Sequence, residues 1–275
     1  MSLIKHLDQF GIKHFDNESY WAWGGQMLSQ VMSEGEFHFF EKLRRPMMNN
    51  PKPAQRLAFY EFIAKRGVAA VVHSTKADAI CKSGEAIERK IGASRKILDI
   101  GCNSGYLTSW YANQHPASAV IGVDISYESV NTANRFFKEL NLTNVQARHG
   151  SPEVIFRNEK FDCIVDSQSV YEAFNRRNIL NWIEKSLDES GVFITVPQAT
   201  NAENFDRYTR ELESCNLEII DFEALIFNDL GEVSAYPLLV TKKSKNLKAF
   251  NSSEAFQALI EQLTAARLER APIPE

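Results

Sequence analysis

The sequence predicts an α/β fold: a doubly wound, seven-stranded, mostly parallel sheet with an antiparallel terminal hairpin, preceded by a helical N-terminal extension. Three observations carry this. Between about residues 96 and 242, short runs that are apolar throughout alternate with amphipathic stretches, which is how a parallel sheet covered on both faces reads. The alternation then stops, and two strand-like runs follow one another with only a turn between them. Upstream of residue 95 the chain changes character and becomes helical and aromatic-rich.

The runs "KILDIG", "SAVIGVD", "NVQARHG", "FDCIVD" and "GVFITVP" are the five parallel strands, with "LDESGVFITVP" supplying the turn into the fifth. Between the second and third, Ser126–Leu140 places Val130, Ala133, Phe137 and Leu140 on one helical face, with Ser126 as N-cap and Glu128 in the first turn. "LEIIDFEALIF" and "SAYPLLVTKK", joined by "NDLG", form the hairpin, and a last helix spans Ser252–Arg270. The organisation is therefore an extension over 1–95 that includes a possible lid, a catalytic domain over 96–243, and a linker with a C-terminal helix over 244–275. The extension is broken at "NNPKP" and gathers Tyr20, Trp21, Trp23, Phe37, Phe39 and Phe40 into a short span, either as a helical layer on the sheet or as a lid.

Composition sets bounds. With 275 residues, 44% hydrophobic and 24% charged, the chain is long enough for a sizeable core. A net charge of −4 disfavours nucleic acid as the default partner, and Arg44–Arg45 and the run Lys242, Lys243, Lys245, Lys248 read as solvated surface. The 4 cysteines are scattered, without C-x-x-C or a histidine at ligand spacing, so neither a disulfide framework nor a metal site is expected. No stretch has membrane-spanning length and the first residues lack the apolar core of a signal peptide, so a cytoplasmic protein is expected. A homodimer is left open.

The most informative stretch is "ILDIGCNSGYLT". Its loop, Gly101–Gly105, lies between a strand and a helix, at the strand's carboxyl end, where open α/β sheets bind ligands. Glycines there allow a sharp turn and close approach, and N–H groups at the helix start favour a negative group. A P-loop needs a Lys and a Ser/Thr after its last glycine, and a dinucleotide fingerprint needs glycines where Asn103 and Tyr106 stand, so neither fits. Asp124, ending the next strand, can accept both ribose hydroxyls; its alternative is a helix cap for the segment starting at Ser126.

Over residues 95–242 this pattern resembles the class I S-adenosylmethionine (SAM)-dependent methyltransferases. Their first motif, an acid followed by Gly-x-Gly-x-Gly, is here Asp99, Gly101, Asn103 and Gly105, with Asn103 in place of the middle glycine. The resemblance implies S-adenosyl-L-methionine as cofactor, with its amino-acid part along the loop and its ribose on Asp124. The implied cofactor set is Asp99, Gly101, Cys102, Asn103, Gly105, Asp124, Ile125, Ser151, Pro152 and Asp166. Ser151 stands where the family has an acid for the adenine amino group, and a backbone group is the expected substitute. "FDCIVDSQSVYEAF" matches the fourth motif, with Asp166 beside the reactive centre.

That motif is "DSQS" rather than Asn/Asp-Pro-Pro-Tyr, which disfavours DNA adenine and glutamine amide as acceptors, and Cys163 inside an apolar run is a core residue rather than a cytosine nucleophile. A small-molecule acceptor methylated on O, N or C is expected, with Asp166, Tyr171 and Glu172 as catalytic candidates. Tyr20, Trp21, Trp23, His73 and Gln168 are candidates for substrate contact or a lid, the aromatic rings enclosing the sulfonium by cation–π contact. Against these stand a helix-start role for Glu172 and a core or surface place for His73. The alternative activity is consumption of SAM by cyclisation or elimination, releasing methylthioadenosine. tRNA or protein methylation ranks below it, and a non-catalytic partner sits poorly with the intact Asp99, Gly101, Gly105 and Asp124.

Overall fold

Seven strands form one sheet in the order β3-β2-β1-β4-β5-β7-β6. A computed structural model describes residues 1–15, 17–47 and 51–270. The strands are β1 (Lys96–Ile100), β2 (Ala119–Asp124), β3 (Val145–His149), β4 (Phe161–Ser167), β5 (Leu187–Val196), β6 (Leu217–Asp229) and β7 (Glu232–Lys243). β1 to β5 pair in parallel, and β7 lies antiparallel between β5 and β6. Because β1 leads to β2 on one side while β4 lies on the other, the strand order reverses beside β1 and leaves a crevice at the carboxyl ends of β1 and β4.

Uninterrupted apolar strands are needed because both faces are buried. Ile97, Cys163, Val165 and Ile194 join one core cluster, while Leu98, Ile100, Ile164 and Phe193 join another on the opposite face. Helices α7 (Tyr106–Gln114), α8 (Tyr127–Glu139), α9 (Pro152–Ile155), α10 (Ser169–Glu172), α11 (Arg176–Ser186), α12 (Ala202–Ser214) and α13 (Ser252–Arg270) supply the connections and the outer layers. Ser126 caps α8, accepting from Ser129 N at 3.1 Å. One local expectation fails: "LDES" is not a turn before β5 but its first part, paired to Phe161 across a register irregularity in the β4–β5 ladder.

The extension holds α1 (Leu3–Gln9), α2 (Asn17–Val31), α3 (Glu34–Met47), α4 (Pro53–Lys65), α5 (Ala69–His73), a 3₁₀ turn (Ser74–Lys76) and α6 (Ala77–Ile91). Asp16, Asn49 and Asn50, within the aromatic and "NNPKP" segments read from sequence, lie outside the described residues. The extension has two parts physically. Ala79, Cys81, Ala86, Ile87 and Ile91 of α6 share a core with β1, β4 and β5, so α6 is a layer of the sheet. Leu3 and Leu7 of α1 join the same core, and His6 Nε2 lies 2.9 Å from both the Tyr106 carbonyl and Ser109 Oγ of α7. The second part is a small separate core, in which Phe40, Phe59, Ile63, Val68 and Ala69 bring α3, α4 and α5 together. From there α4 packs against α8. Three of the basic residues noted in the sequence are paired: Arg44 with Glu41 at 2.9 Å, Lys242 with Glu218 at 3.6 Å and Lys243 with Glu189 at 2.8 Å. No helix among the described residues is long and apolar enough to cross a membrane.

Gly105 shows how tightly the layers meet at the crevice. Its φ is +80°, and a Cβ there would lie 2.7 Å from the Phe137 ring and 2.8 Å from Ala133 Cβ on α8. Gly105→Ala is expected to cost about 2–4 kcal/mol, the sum of a left-handed backbone penalty and overpacking, read as a lower urea midpoint.

Candidate active site

The crevice is built from the residues that end β1, β2 and β4. After β1 the chain turns through Gly101 (φ +74°) and Asn103 (φ +48°) into α7, whose N-cap Gly105 offers no side-chain cap to the first N–H groups. Gly101 is required by its neighbour across the crevice: a Cβ there would sit 2.4 Å from Ser169 Oγ. That hydroxyl lies 2.6 Å from Asp166 Oδ1 and 2.8 Å from the Ile100 carbonyl, so it ties the loop after β4 to the end of β1.

Asp124 ends β2 and turns its carboxylate toward the loop. Oδ2 accepts Asn103 N at 3.0 Å and Oδ1 accepts Ser126 N at 2.8 Å, leaving one lone pair on each oxygen for a ligand. Both the helix-cap and the ligand roles of Asp124 are thus geometrically open. Burial lifts its pKa above the usual carboxylate range, and the two N–H donors oppose the rise. Ile125, next along, is 52% exposed and presents an apolar surface beside it. Gly150 N donates to the Asp124 carbonyl at 2.8 Å, which brings Ser151 and buried Pro152, at the start of α9, to the same edge. The Ser151 hydroxyl is hydrogen-bonded to Glu153, whose other oxygen accepts Asn175 Nδ2 at 2.5 Å. An acid therefore does stand near Ser151, two residues beyond the position that the family resemblance implies.

Two sequence assignments change. Asp166 is not an available base: its carboxylate is wholly buried and accepts from Ser169 Oγ, Val170 N at 2.9 Å and Thr195 Oγ1 at 2.9 Å. Burial pushes its pKa up to about 6, and these donors oppose the rise. The Cys102 side chain does not face a ligand either, since Sγ packs into the core formed with Val130, Ala133 and Phe137. Glu172 is the acid in the single turn of α10, as the helix-start reading has it, and it also forms an ion pair with Arg56 of α4.

The covering element also changes. Tyr20 is buried, with its hydroxyl 3.3 Å from the Val71 carbonyl, Trp23 stacks on Phe15 at 4.7 Å, and Trp21 is 59% exposed. This aromatic group packs on α5. The strand-end loops are instead reached by α4, through Arg56, Tyr60 and Glu61, none of which the sequence had singled out. Glu61 accepts Tyr127 N at 2.6 Å and Glu128 N at 3.3 Å at the start of α8. Tyr60, one turn beyond Arg56, lies near Glu172 and Asp124; burial first and then Glu172 push its phenol up to about 12. An i, i+4 pair of Arg and Tyr on a helix was the available signal, but nothing local says which loop it meets.

His73 closes the crevice beside the glycine loop. Its ring lies 5.4 Å from that of Tyr106, and Nε2 is buried without a hydrogen-bond partner. Burial drives its pKa down to about 4, with Lys76 adding to the fall and the Asn103 side chain opposing it. Gln168, the N-cap of α10, adopts φ +77°, so two non-glycine residues, Asn103 and Gln168, hold left-handed conformations on either side of the crevice. Tyr171 packs edge-on against Tyr208 at 5.3 Å, under the Arg176 guanidinium, and its phenol is raised by burial. Asp99, under the loop, accepts Thr108 Oγ1 at 2.5 Å, and burial pushes it up to about 7.

These features fit a cationic nucleoside that ends in an amino acid. A partly exposed carboxylate with spare lone pairs suits ribose hydroxyls, an uncapped helix start suits a carboxylate, and an orphaned imidazole nitrogen suits an amino-acid head group. The sheet order and this crevice define the class I SAM-dependent methyltransferases. The chain belongs to the methyltransferase family: a family model described as "Methyltransferase domain" matches residues 91–256, more than half of it. It is 24% identical to the malonyl-[acyl-carrier protein] O-methyltransferase of Paenibacillus sp. over 82% of this chain and 86% of that one. Among solved structures, a chain in the complex of the Haloferax volcanii Trm112 methyltransferase activator with its methyltransferase aligns with a TM-score of 0.55 at 14% identity, over 66% of this chain and 96% of that one. Geranyl diphosphate C-methyltransferase from Streptomyces coelicolor, solved with S-adenosyl-L-homocysteine, aligns with a TM-score of 0.50 at 14% identity, over 67% and 84%. The protein is a SAM-dependent methyltransferase, and S-adenosyl-L-methionine is its cofactor.

Asp99 gives a test of the site's electrostatics. Its pKa near 7 lies above the ordinary carboxylate value, so the native state holds its proton more tightly than the unfolded chain does. Ionisation therefore subtracts stability as pH rises through that range, and the loss is complete above the folded value. Asp99→Asn, which still accepts from Thr108, is expected to raise the melting temperature at pH 8 and to bring no such gain near pH 4, measured by fluorimetry across the pH range.

Proposed function

We propose that the enzyme transfers the SAM methyl group to a small-molecule acceptor held between α4 and the loop after β4. The observation that carries this is the placement of Arg56 and Tyr60 beside the ends of β2 and β4, which walls the crevice. A crevice closed by a helix held at Glu172 and at the start of α8 suits a compact acceptor better than a nucleic acid or a folded protein surface. The malonyl acyl unit in the relative's name also supports a compact reacting group.

In this proposal Gly101, Asn103 and Gly105 shape the loop along the amino-acid end of the cofactor, with His73 Nε2 facing that head group. Asp124 receives the ribose, and Ile125, Ser151 and Pro152 line the base. When bound, SAM supplies an electrophilic methyl on a sulfonium. The protein's residues align the acceptor in line with it, keep water out, and hold the two loops at fixed spacing. Residues 96–243 together with α6 and α4 form the working unit, with α13 as an outer helix packed on β6, β7 and α12.

Asp124→Asn, checked for an unchanged melting temperature without ligand, is expected to weaken SAM binding by about 1.5–3 kcal/mol per lost charged hydrogen bond, read by calorimetry. Unchanged affinity would make Asp124 a cap for α8 and nothing more. The competing activity, cyclisation or elimination within SAM, is tested by incubation with SAM alone and mass spectrometry of the nucleoside. Bound and unconsumed SAM is the expected outcome; methylthioadenosine accumulating above the spontaneous rate would replace methyl transfer with the other reaction.

A further inference from the structure

Each side chain around the acceptor side of the crevice that could take a proton is either hydrogen-bonded to another part of the site or a weak base there. Asp166 is sealed under three side chain and backbone donors. Both oxygens of Glu61 accept N–H groups of α8, and both oxygens of Asp124 accept loop N–H groups. Glu172 is paired with Arg56. The tyrosines Tyr60 and Tyr171 are held protonated, and His73 is too weak a base to keep a proton at neutral pH. An alcohol or ammonium acceptor would need one of these to take its proton. A carboxylate needs none.

The cations differ in the same way. Arg176 is spent on two partners through three contacts, with Nε 2.7 Å and Nη2 2.5 Å from Glu211 and Nη1 2.7 Å from the Tyr171 carbonyl. Arg56 reaches Glu172 through Nη1, and its side chain keeps 20% exposure at the crevice. A guanidinium has five N–H donors in a planar fork, so most of the Arg56 fork remains for a second planar anion.

Resting on the methyl-transfer assignment above, we propose that the acceptor is a carboxylate, that Arg56 is its anchor, and that the product is a methyl ester. Glu172 is then a competitor that holds Arg56 in place until the acceptor arrives, not a base. The chemistry balances without proton transfer: a carboxylate oxygen forms a bond to the methyl carbon, the carbon–sulfur bond breaks, and its electron pair stays on sulfur as the neutral thioether.

The test begins with methyl-labelled SAM and the small-molecule fraction of a cell lysate, followed by dilute alkali. Esters release the label as methanol, whereas methyl ethers, methylamines and C-methyl products keep it. Alkali-labile label is the expected result. Alkali-stable label overturns the carboxylate class while leaving methyl transfer intact, and failure to form any S-adenosylhomocysteine overturns methyl transfer itself. With the labelled fraction as acceptor source, Arg56→Gln is expected to raise the apparent KM about 10- to 100-fold, as for loss of a charged hydrogen-bonding anchor, with SAM affinity by calorimetry unmoved. Glu172→Gln separates the two roles. As a competitor's removal it lowers the apparent KM by about 2- to 5-fold, the scale of a partly exposed ion pair; a fall in kcat of about 100-fold or more, as for a lost general base, overturns the proposal. The rate of the wild-type enzyme is expected to stay level from pH 6 to pH 8, and a rise across that interval that Glu172→Gln abolishes would likewise assign the base to Glu172.

Discussion

The Ser169 hydroxyl ties together the two loops that flank the crevice. Its oxygen stands between the Asp166 carboxylate and the Ile100 carbonyl, on opposite sides of the point where the strand order reverses. The parallel β1–β4 ladder sets the spacing as far as Ile100 and Asp166, and beyond it this side-chain contact ties the two loops. The contact is possible because Gly101 has no Cβ; any larger residue would collide with Ser169. Asp166, completely buried, pins Ser169 and Val170 from below and is itself held by Thr195, which contacts the Tyr208 hydroxyl at 3.1 Å. A buried carboxylate is costly unless its lone pairs are filled, and here the filling fixes the loop after β4.

The wall of the crevice comes from far away in sequence. Arg56 and Glu172 are 116 positions apart, and Glu61 reaches Tyr127 across 66. Partly exposed ion pairs contribute only about 0–1 kcal/mol, so these contacts do not by themselves keep α4 in place. Phe59 and Ile63 on its other side, buried with Phe40 and Val68, do most of that. The division is sensible for a helix that faces a ligand site: apolar packing keeps it docked, and polar contacts that a ligand can replace set its register.

The strands could be read from the sequence because burial on both faces leaves a local signature, and the ends of α8 and α13 because caps and periodicity are local too. The glycine loop and Asp124 were legible for a similar reason: a strand, a tight turn and a helix follow one another without a gap. What could not be read depends on parity and on distant partners. Whether the acid ending β4 faces the crevice or the core is set by one residue of register, and Asp166 falls on the core side, beside Thr195. Cys102 is turned away by the same kind of choice. The aromatic segment around Trp21 drew attention by composition, yet what covers the crevice is the plainer α4, whose Arg56 and Tyr60 gain meaning only from the loops they meet. Likewise α6 looks like part of the extension until its alanines and isoleucines are seen against β1 and β4.

These placements bear on what kind of site this is. Five acids, Asp99, Asp124, Asp166, Glu172 and Glu61, converge on the carboxyl edge of the sheet, and none stands as an isolated charge, because each accepts from a hydroxyl, a backbone N–H or a guanidinium. The acids serve as rivets. Each fixes one loop or helix end relative to its neighbour, and together they determine the position of every group that a ligand would touch. Rigid placement of this kind is what an in-line displacement requires, since its rate depends on distance and angle more than on proton transfer. It also fits the hydrogen bonding of Asp166 and Glu172: in a crevice assembled from loops, strong hydrogen bonds are spent on holding the loops, and the substrate is met by what they hold.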